Sequence, residues 1–234
     1  MKPRIVFWYE FASSYSYLSA MRVDDEAARV QVAVDWKPFL LGPIFKSQGW
    51  ETSPFNVYPA KGRYMARDIA RIAAARGLPF KVPAVFPGNG LKAARLAIAA
   101  RNHGALPAFS RAVFSAGFGE GLDIFDDAVL TDCLSAAGLD ADVPRSLAKD
   151  GGIKFELRAN TEQAQAHGIF GAPSFTTDDE SCSGATTASI RPYSGRRQRT
   201  ANEDAMRFRK YFICNYIGLS ELPAAPFCGA NAAH

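Results

Sequence analysis

Hydrophobic and polar positions change period several times along this 234-residue chain. Ile5 to Phe11 is a short apolar run with β-branched and aromatic members, and it predicts a buried strand. After Ala12-Ser13-Ser14-Tyr15 the spacing becomes helical, with apolar bulk from Tyr17, Leu18, Met21 and Val23. Ser13 or Ser14 can cap that helix, because a short hydroxyl side chain accepts from the unpaired N–H groups of a first turn. Val30, Val32, Val34 and Trp36 then alternate with Gln31, Ala33 and Asp35, which predicts a second strand. Strand, helix and parallel strand make a βαβ unit of about 35 residues.

Beyond Pro38 the texture changes. Residues 40–59 are rich in Gly, Pro and Ser and read as a long loop. Helical periodicity follows. Met65, Ile69, Ile72 and Ala73 share one face, with Gly77 as the stop. Leu91, Ala94 and Ile98 share another, ending near Gly104. Phe109, Val113 and Ala116 make a third, and Val129, Leu130, Cys133 and Leu134 a fourth that ends near Gly138. A short helix is expected over 143–148 and a longer one over 155–167, with Gly168 as its C-cap. Pro173 then opens a β-like run, Ser174-Phe175-Thr176.

Composition narrows the class. Hydrophobic residues make up 48% and charged residues 21%, as in ordinary globular proteins. No apolar stretch is long enough for a membrane helix, and the apolar run after Met1-Lys2-Pro3-Arg4 is too short for a signal-peptide core. The expected location is the cytoplasm. A net charge of +4 is weak support for a nucleic-acid partner, and none is expected. The excess lies in the tail, where residues 180–234 hold seven Lys/Arg against four Asp/Glu. Three of the four cysteines lie there too (Cys182, Cys214, Cys228), and none forms a Cys-x-x-Cys pair or a zinc spacing. Cys133 reads as a helix-buried thiol. His103 and His167 adjoin helix-ending glycines and His234 is terminal; no residue set is assigned to a metal.

The order βαβ, helical block, helix, Gly-Ala-Pro, strand resembles a thioredoxin-like fold of the DsbA type. Tyr9-Glu10-Phe11-Ala12-Ser13-Ser14-Tyr15-Ser16-Tyr17-Leu18 is similar to the opening of the 2-hydroxychromene-2-carboxylate isomerases and the kappa-class glutathione transferases, with Ser14 at a position that is usually proline. Pro38-Phe39-Leu40-Leu41-Gly42, Pro59-Ala60-Lys61-Gly62-Arg63-Tyr64, Phe118-Gly119-Glu120-Gly121 and Gly168-Ile169-Phe170-Gly171-Ala172-Pro173-Ser174-Phe175 extend the resemblance over residues 4–179. It implies an α/β thioredoxin-like domain made of residues 1–41 and 158–179, with a large helical insertion, 42–157, between them. It implies glutathione as cofactor and a small aromatic oxo-acid as substrate, with no membrane partner and a homodimer as the assembly. The reaction implied is interconversion of 2-hydroxychromene-2-carboxylate with trans-o-hydroxybenzylidenepyruvate. Kappa-like glutathione transfer, or an inactive glutathione- or peptide-binding module, are the alternatives.

The same resemblance assigns roles. Ser13 stands where redox relatives carry a reactive cysteine; its hydroxyl would hold the glutathione thiolate, helped by a helix dipole worth up to about 2 kcal/mol. Pro173 would be cis and turn the Ala172 backbone toward an extended glutathione, as in strand addition. Lys61 would contact glutathione or the active-site anion, Thr52 lies where transferases often carry an asparagine contact, and Asn56 would line the substrate site.

The tail departs from the pattern. Relatives continue with a strand and Trp-Gly-Asn-Asp-Arg-Leu, then a terminal helix. This chain has Asp178-Asp179-Glu180-Ser181-Cys182-Ser183-Gly184 instead. Strand, turn and helix signals are missing, so residues 180–234 are expected to be atypical and poorly ordered. One inserted nucleotide before suitable codons for this stretch turns it into Gly-Glu-Leu-Phe-Trp-Gly-Asn-Asp-Arg-Leu-Asp-Pro-Ala. The expectation is therefore that the tail is translated out of frame relative to the family.

Overall fold

A computed structural model describes residues 3–140, 142, 146, 148–177 and 181–183. Four strands form one sheet in the order β2-β1-β3-β4. β1 (Arg4–Tyr9) pairs parallel with β2 (Ala33–Pro38), Phe7 opposite Trp36. β3 (Ser174–Thr176) runs antiparallel along the other side of β1, with Phe175 opposite Phe7. The parallel pair confirms the expected βαβ unit.

The period of two along β1 feeds two layers. Phe7 and Tyr9 face one way and stack with Phe175, Trp36, Phe11 and Phe114 in the main core. Trp8 faces the other way and packs with Phe39, Ile44, Ala164 and Ile169. Burying an aromatic ring removes 150–250 Å² from water, so these alternating rings fix the sheet between its helices.

The first helical stretch divides into α1 (Ser14–Ala20) and α2 (Val23–Arg29), separated at Met21–Arg22. The second strand starts later than its alternation suggests. Val30 and Val32 alternate because they cap α2 and pack on the core: Val32 N–H donates back to the Ala27 carbonyl, and Gln31 takes a left-handed φ of 57°.

The long loop expected over 40–59 is corrected by the structure. It contains α3 (Leu41–Ser47) and α4 (Pro54–Val57). Pro43 and Gly42 fall in the first turn of α3, where proline's missing N–H costs nothing. Ile44 supplies the burial that holds that helix.

The remaining helices follow the expected faces. They are α5 (Pro59–Ala75), α6 (Leu91–Arg101), α7 (Leu106–Phe114) and α8 (Asp127–Ala136). α7 runs into a π-helical segment, Ser115–Glu120. Gly77, Gly104 and Gly138 take positive φ just beyond the ends of α5, α6 and α8. α9 (Gly151–Ala166) starts earlier than expected because the Asp150 side chain caps it, and it runs unbroken across the boundary expected at 157/158. The helix expected over 143–148 lies mostly outside the described residues.

One tail expectation is corrected. Ser181–Ser183 forms β4, antiparallel to β3. Strand pairing is made by backbone N–H and C=O groups, so it survives a sequence without strand-like side chains. The other tail expectations, including the shifted frame and the missing turn and helix, concern residues outside those described, as do Cys214, Cys228 and His234. Among the described residues no helix is long and apolar enough to cross a membrane.

Candidate active site

At the end of β1 the chain makes a tight turn: the Ser13 N–H donates to the Glu10 carbonyl at 3.0 Å. Ser13 is thereby delivered to the N-cap of α1 in an extended conformation, φ −92° and ψ 111°. Its Oγ accepts from the Ser16 N–H at 3.2 Å and donates to the Ala172 carbonyl at 2.8 Å. Two segments 159 residues apart in sequence therefore meet at one hydroxyl. The Ala172–Pro173 peptide is cis, as expected. The Ser174 hydroxyl donates to the Gly171 carbonyl at 2.8 Å and fixes this loop on entry to β3.

The surroundings are supplied by α5. Ser14 Oγ donates to Met65 Sδ at 3.4 Å, and the Tyr15 hydroxyl donates to Asp68 at 3.0 Å. Lys61 lies one turn before Met65 on the same helix face. It is exposed, its Nζ 4.8 Å from the centre of the Tyr58 ring. Thr52 and Asn56 are also exposed and bond to each other, the Asn56 amide donating to Thr52 Oγ1 at 2.9 Å. Ser13, Ala172 and Pro173 are thus gathered at one point. Thr52 and Asn56 are bonded to each other around the start of α4, and Lys61 is exposed in the first turn of α5; no contact joins them to Ser13 among the described residues.

Glu10, which the sequence reading left without a role, is buried three residues before Ser13. Burial pushes its carboxyl up to about 7, opposed by a hydrogen bond from the Ala12 N–H. The available signal was an acidic residue inside an apolar run. Tyr9 and Tyr17 are also pushed up by burial; their hydroxyls meet Ser110 at 2.7 Å and the Pro79 carbonyl at 2.6 Å. Burial likewise raises the Cys133 thiol to about 11, keeping it protonated and inert.

Three expectations are sharpened. α1 has only seven residues, so an anion at Ser13 would meet the free N–H groups of a first turn rather than a long dipole. His167 is the C-cap of α9 and its ring lies 5.9 Å from that of Trp8. His103 is exposed beyond α6.

A sheet of this order, a helical block between β2 and β3, and an N-cap residue facing a cis-proline loop together define a DsbA-like thioredoxin protein. Residues 4–189 match the DSBA-like thioredoxin domain, and the chain belongs to that family. Within it, the chain is 31% identical over 182 residues to 2-hydroxychromene-2-carboxylate isomerase of Sphingobium xenophagum, covering 77% of this chain and 91% of that protein. It is 23% identical to glutathione S-transferase kappa 2 of Caenorhabditis elegans, over 72% of this chain and 78% of that protein. A solved structure of a 2-hydroxychromene-2-carboxylate isomerase superposes with a TM-score of 0.66 at 20% identity, over 76% of this chain and 87% of that one.

Proposed function

We propose that this chain is a glutathione-dependent isomerase that interconverts 2-hydroxychromene-2-carboxylate and trans-o-hydroxybenzylidenepyruvate in aromatic-compound breakdown. The observation that carries the reading is the Ser13 hydroxyl, held 2.8 Å from the Ala172 carbonyl and 3.2 Å from the Ser16 N–H. A hydroxyl cannot exchange disulfides, but it can donate to a thiolate. The 31% identity to an isomerase over most of both chains supports the choice of reaction.

The hydroxyl has one proton, and it is donated to the Ala172 carbonyl. An extended glutathione pairing with the Ala172 backbone would offer its own N–H to that carbonyl. The Ser13 proton would then turn to the glutathione sulfur. The chromene hemiketal first opens: its ring C–O bond breaks as the hemiketal hydroxyl proton passes to the phenol oxygen, leaving a cis double bond conjugated with a ketone. The thiolate adds to that double bond; a C–S bond forms, and the electron pair moves to the ketone oxygen as an enolate. The former double bond is now single and rotates. Collapse of the enolate expels the thiolate and restores the double bond in the other geometry, so glutathione returns unchanged. Lys61, exposed on α5, is the cation for the substrate carboxylate or the enolate.

The test is Ser13→Ala. Losing one preorganised donor to a catalytic anion costs about 3–4 kcal/mol in comparable sites, so glutathione-dependent isomerisation should fall at least about tenfold while circular dichroism stays unchanged. Unchanged turnover would remove Ser13 from the mechanism. Glutathione binding by calorimetry, and turnover of standard electrophiles in place of the chromene, separate the isomerase from a transferase or an inactive binding module.

A further inference from the structure

Glu10 is 8% exposed, and its carboxyl fits a prepared space. It accepts the Ala12 N–H. A Cβ built on Gly90, the N-cap of α6, would come within 2.5 Å of its Oε1. Its own N–H donates to Ser16 Oγ at 3.5 Å, and its carbonyl accepts the Ser13 N–H at 3.0 Å. Glu10 therefore holds the chain on both sides of Ser13.

Two uncharged backbone elements meet the carboxyl: the Ala12 N–H from the turn, which donates to it, and Gly90 from α6, whose Cβ position lies beside it. Of the cations early in α6, Lys92 is turned to Asp127 and the Phe125 carbonyl, and Arg95 forms no ion pair with Glu10 among the described residues. Among the described residues no cation is paired with it. The Ala12 N–H bond and two residues of backbone keep the carboxyl within about 10 Å of the Ser13 hydroxyl.

We propose that Glu10 is a positioning residue for Ser13 whose carboxyl, on losing its proton, opposes any anion that the Ser13 hydroxyl holds. The inference rests on the reading of Ser13 as the anion-holding group, and adds to it the residue that sets its working pH. While Glu10 is protonated, the site favours glutathione as thiolate. Once Glu10 ionises, a buried negative charge raises the energy of that thiolate. A unit charge about 10 Å away, at an effective dielectric of about 20, moves a neighbouring ionisation by about one pKa unit. Burial places the Glu10 ionisation at about 7, so the coupling acts near neutral pH.

The experiment uses the full chain carrying Ser13→Cys, whose thiol at position 13 is itself the anion, so glutathione is not needed. Alkylation of that position against pH, read by mass spectrometry of its peptide, gives the thiol ionisation. The assigned 13C carboxyl resonance gives that of Glu10. Coupled groups show their interaction in whichever titrates second. Two results are therefore equivalent support. Either the thiol ionises about one unit lower in the S13C/E10Q double variant than in S13C, or Glu10 ionises about one unit higher in S13C than in the wild type. Both ionisations unmoved would overturn the proposal. If Glu10→Gln does not fold, Glu10→Met supplies the uncharged reference in the S13C background, and the same two comparisons decide. Failure of the wild type to bind glutathione would sink the proposed function, and it is read separately from this coupling.

Discussion

At the scale of single residues, the proposed site draws on groups of two kinds. Ser13 and Ala172 are fixed by hydrogen bonds across the fold, whereas Lys61 is an exposed side chain held over the Tyr58 ring. A cation–π contact at an exposed position is worth about 0.5–1 kcal/mol, so losing it leaves the fold almost unchanged. Lys61→Met should therefore raise KM for the chromene carboxylate or for glutathione by about three- to tenfold, while the urea midpoint moves little; an exposed cation of this kind contributes about 1 kcal/mol of binding. Steady-state kinetics in both substrates decide which ligand it serves. An unaltered KM for both would remove Lys61 from the site.

Among the elements, the start of α6 and the turn after β1 depend on a missing side chain. Gly90 has an ordinary helical φ of −81°, so alanine there suffers no backbone strain. The obstacle is contact: the new Cβ would lie 2.5 Å from Glu10 Oε1 and 3.1 Å from Phe11 Cβ. Gly90→Ala should destabilise the protein by about 1–3 kcal/mol through overpacking. Gly151, the first residue of α9, has nothing within 4 Å of its Cβ position. Gly151→Ala should be neutral or gain a few tenths of a kcal/mol, up to about 1. Urea unfolding of the pair measures the contrast, and equal stabilities would show that the space beside Glu10 is not tight.

For the whole molecule, Glu10 links stability to pH. The folded protein keeps the Glu10 proton up to about pH 7, whereas the ordinary carboxyl releases it near 4.5. Between those values the folded state binds the extra proton, so stability is full below about 4.5 and declines as pH rises through about 7. A displacement of this size corresponds to a loss on the order of 3 kcal/mol. Glu10→Gln cannot lose a proton, so the stability difference between variant and wild type should shift in the variant's favour from pH 5 to pH 8. Denaturation midpoints at both values test this; a difference independent of pH would mean that Glu10 titrates as an ordinary carboxyl.

Local pattern alone determined much of this protein. The apolar run at Ile5, the glycines that end α5, α6, α8 and α9, and the serine able to cap α1 are all readable in sequence. Each is a short-range property of spacing and backbone freedom. The order of motifs carries the family and places Ser13 beside Pro173. Pattern failed where tertiary contacts override it. Residues 40–59 hold two helices because Ile44 has a second core to enter, and Val30 and Val32 alternate in a turn because both reach the main core. Ser181–Ser183 pairs with β3 through its backbone, which composition does not encode. The state of Glu10 was beyond sequence altogether. A carboxyl titrates according to the water and charges around it, and only the tertiary packing that buries Glu10, with Gly90 beside its Oε1, removes the water.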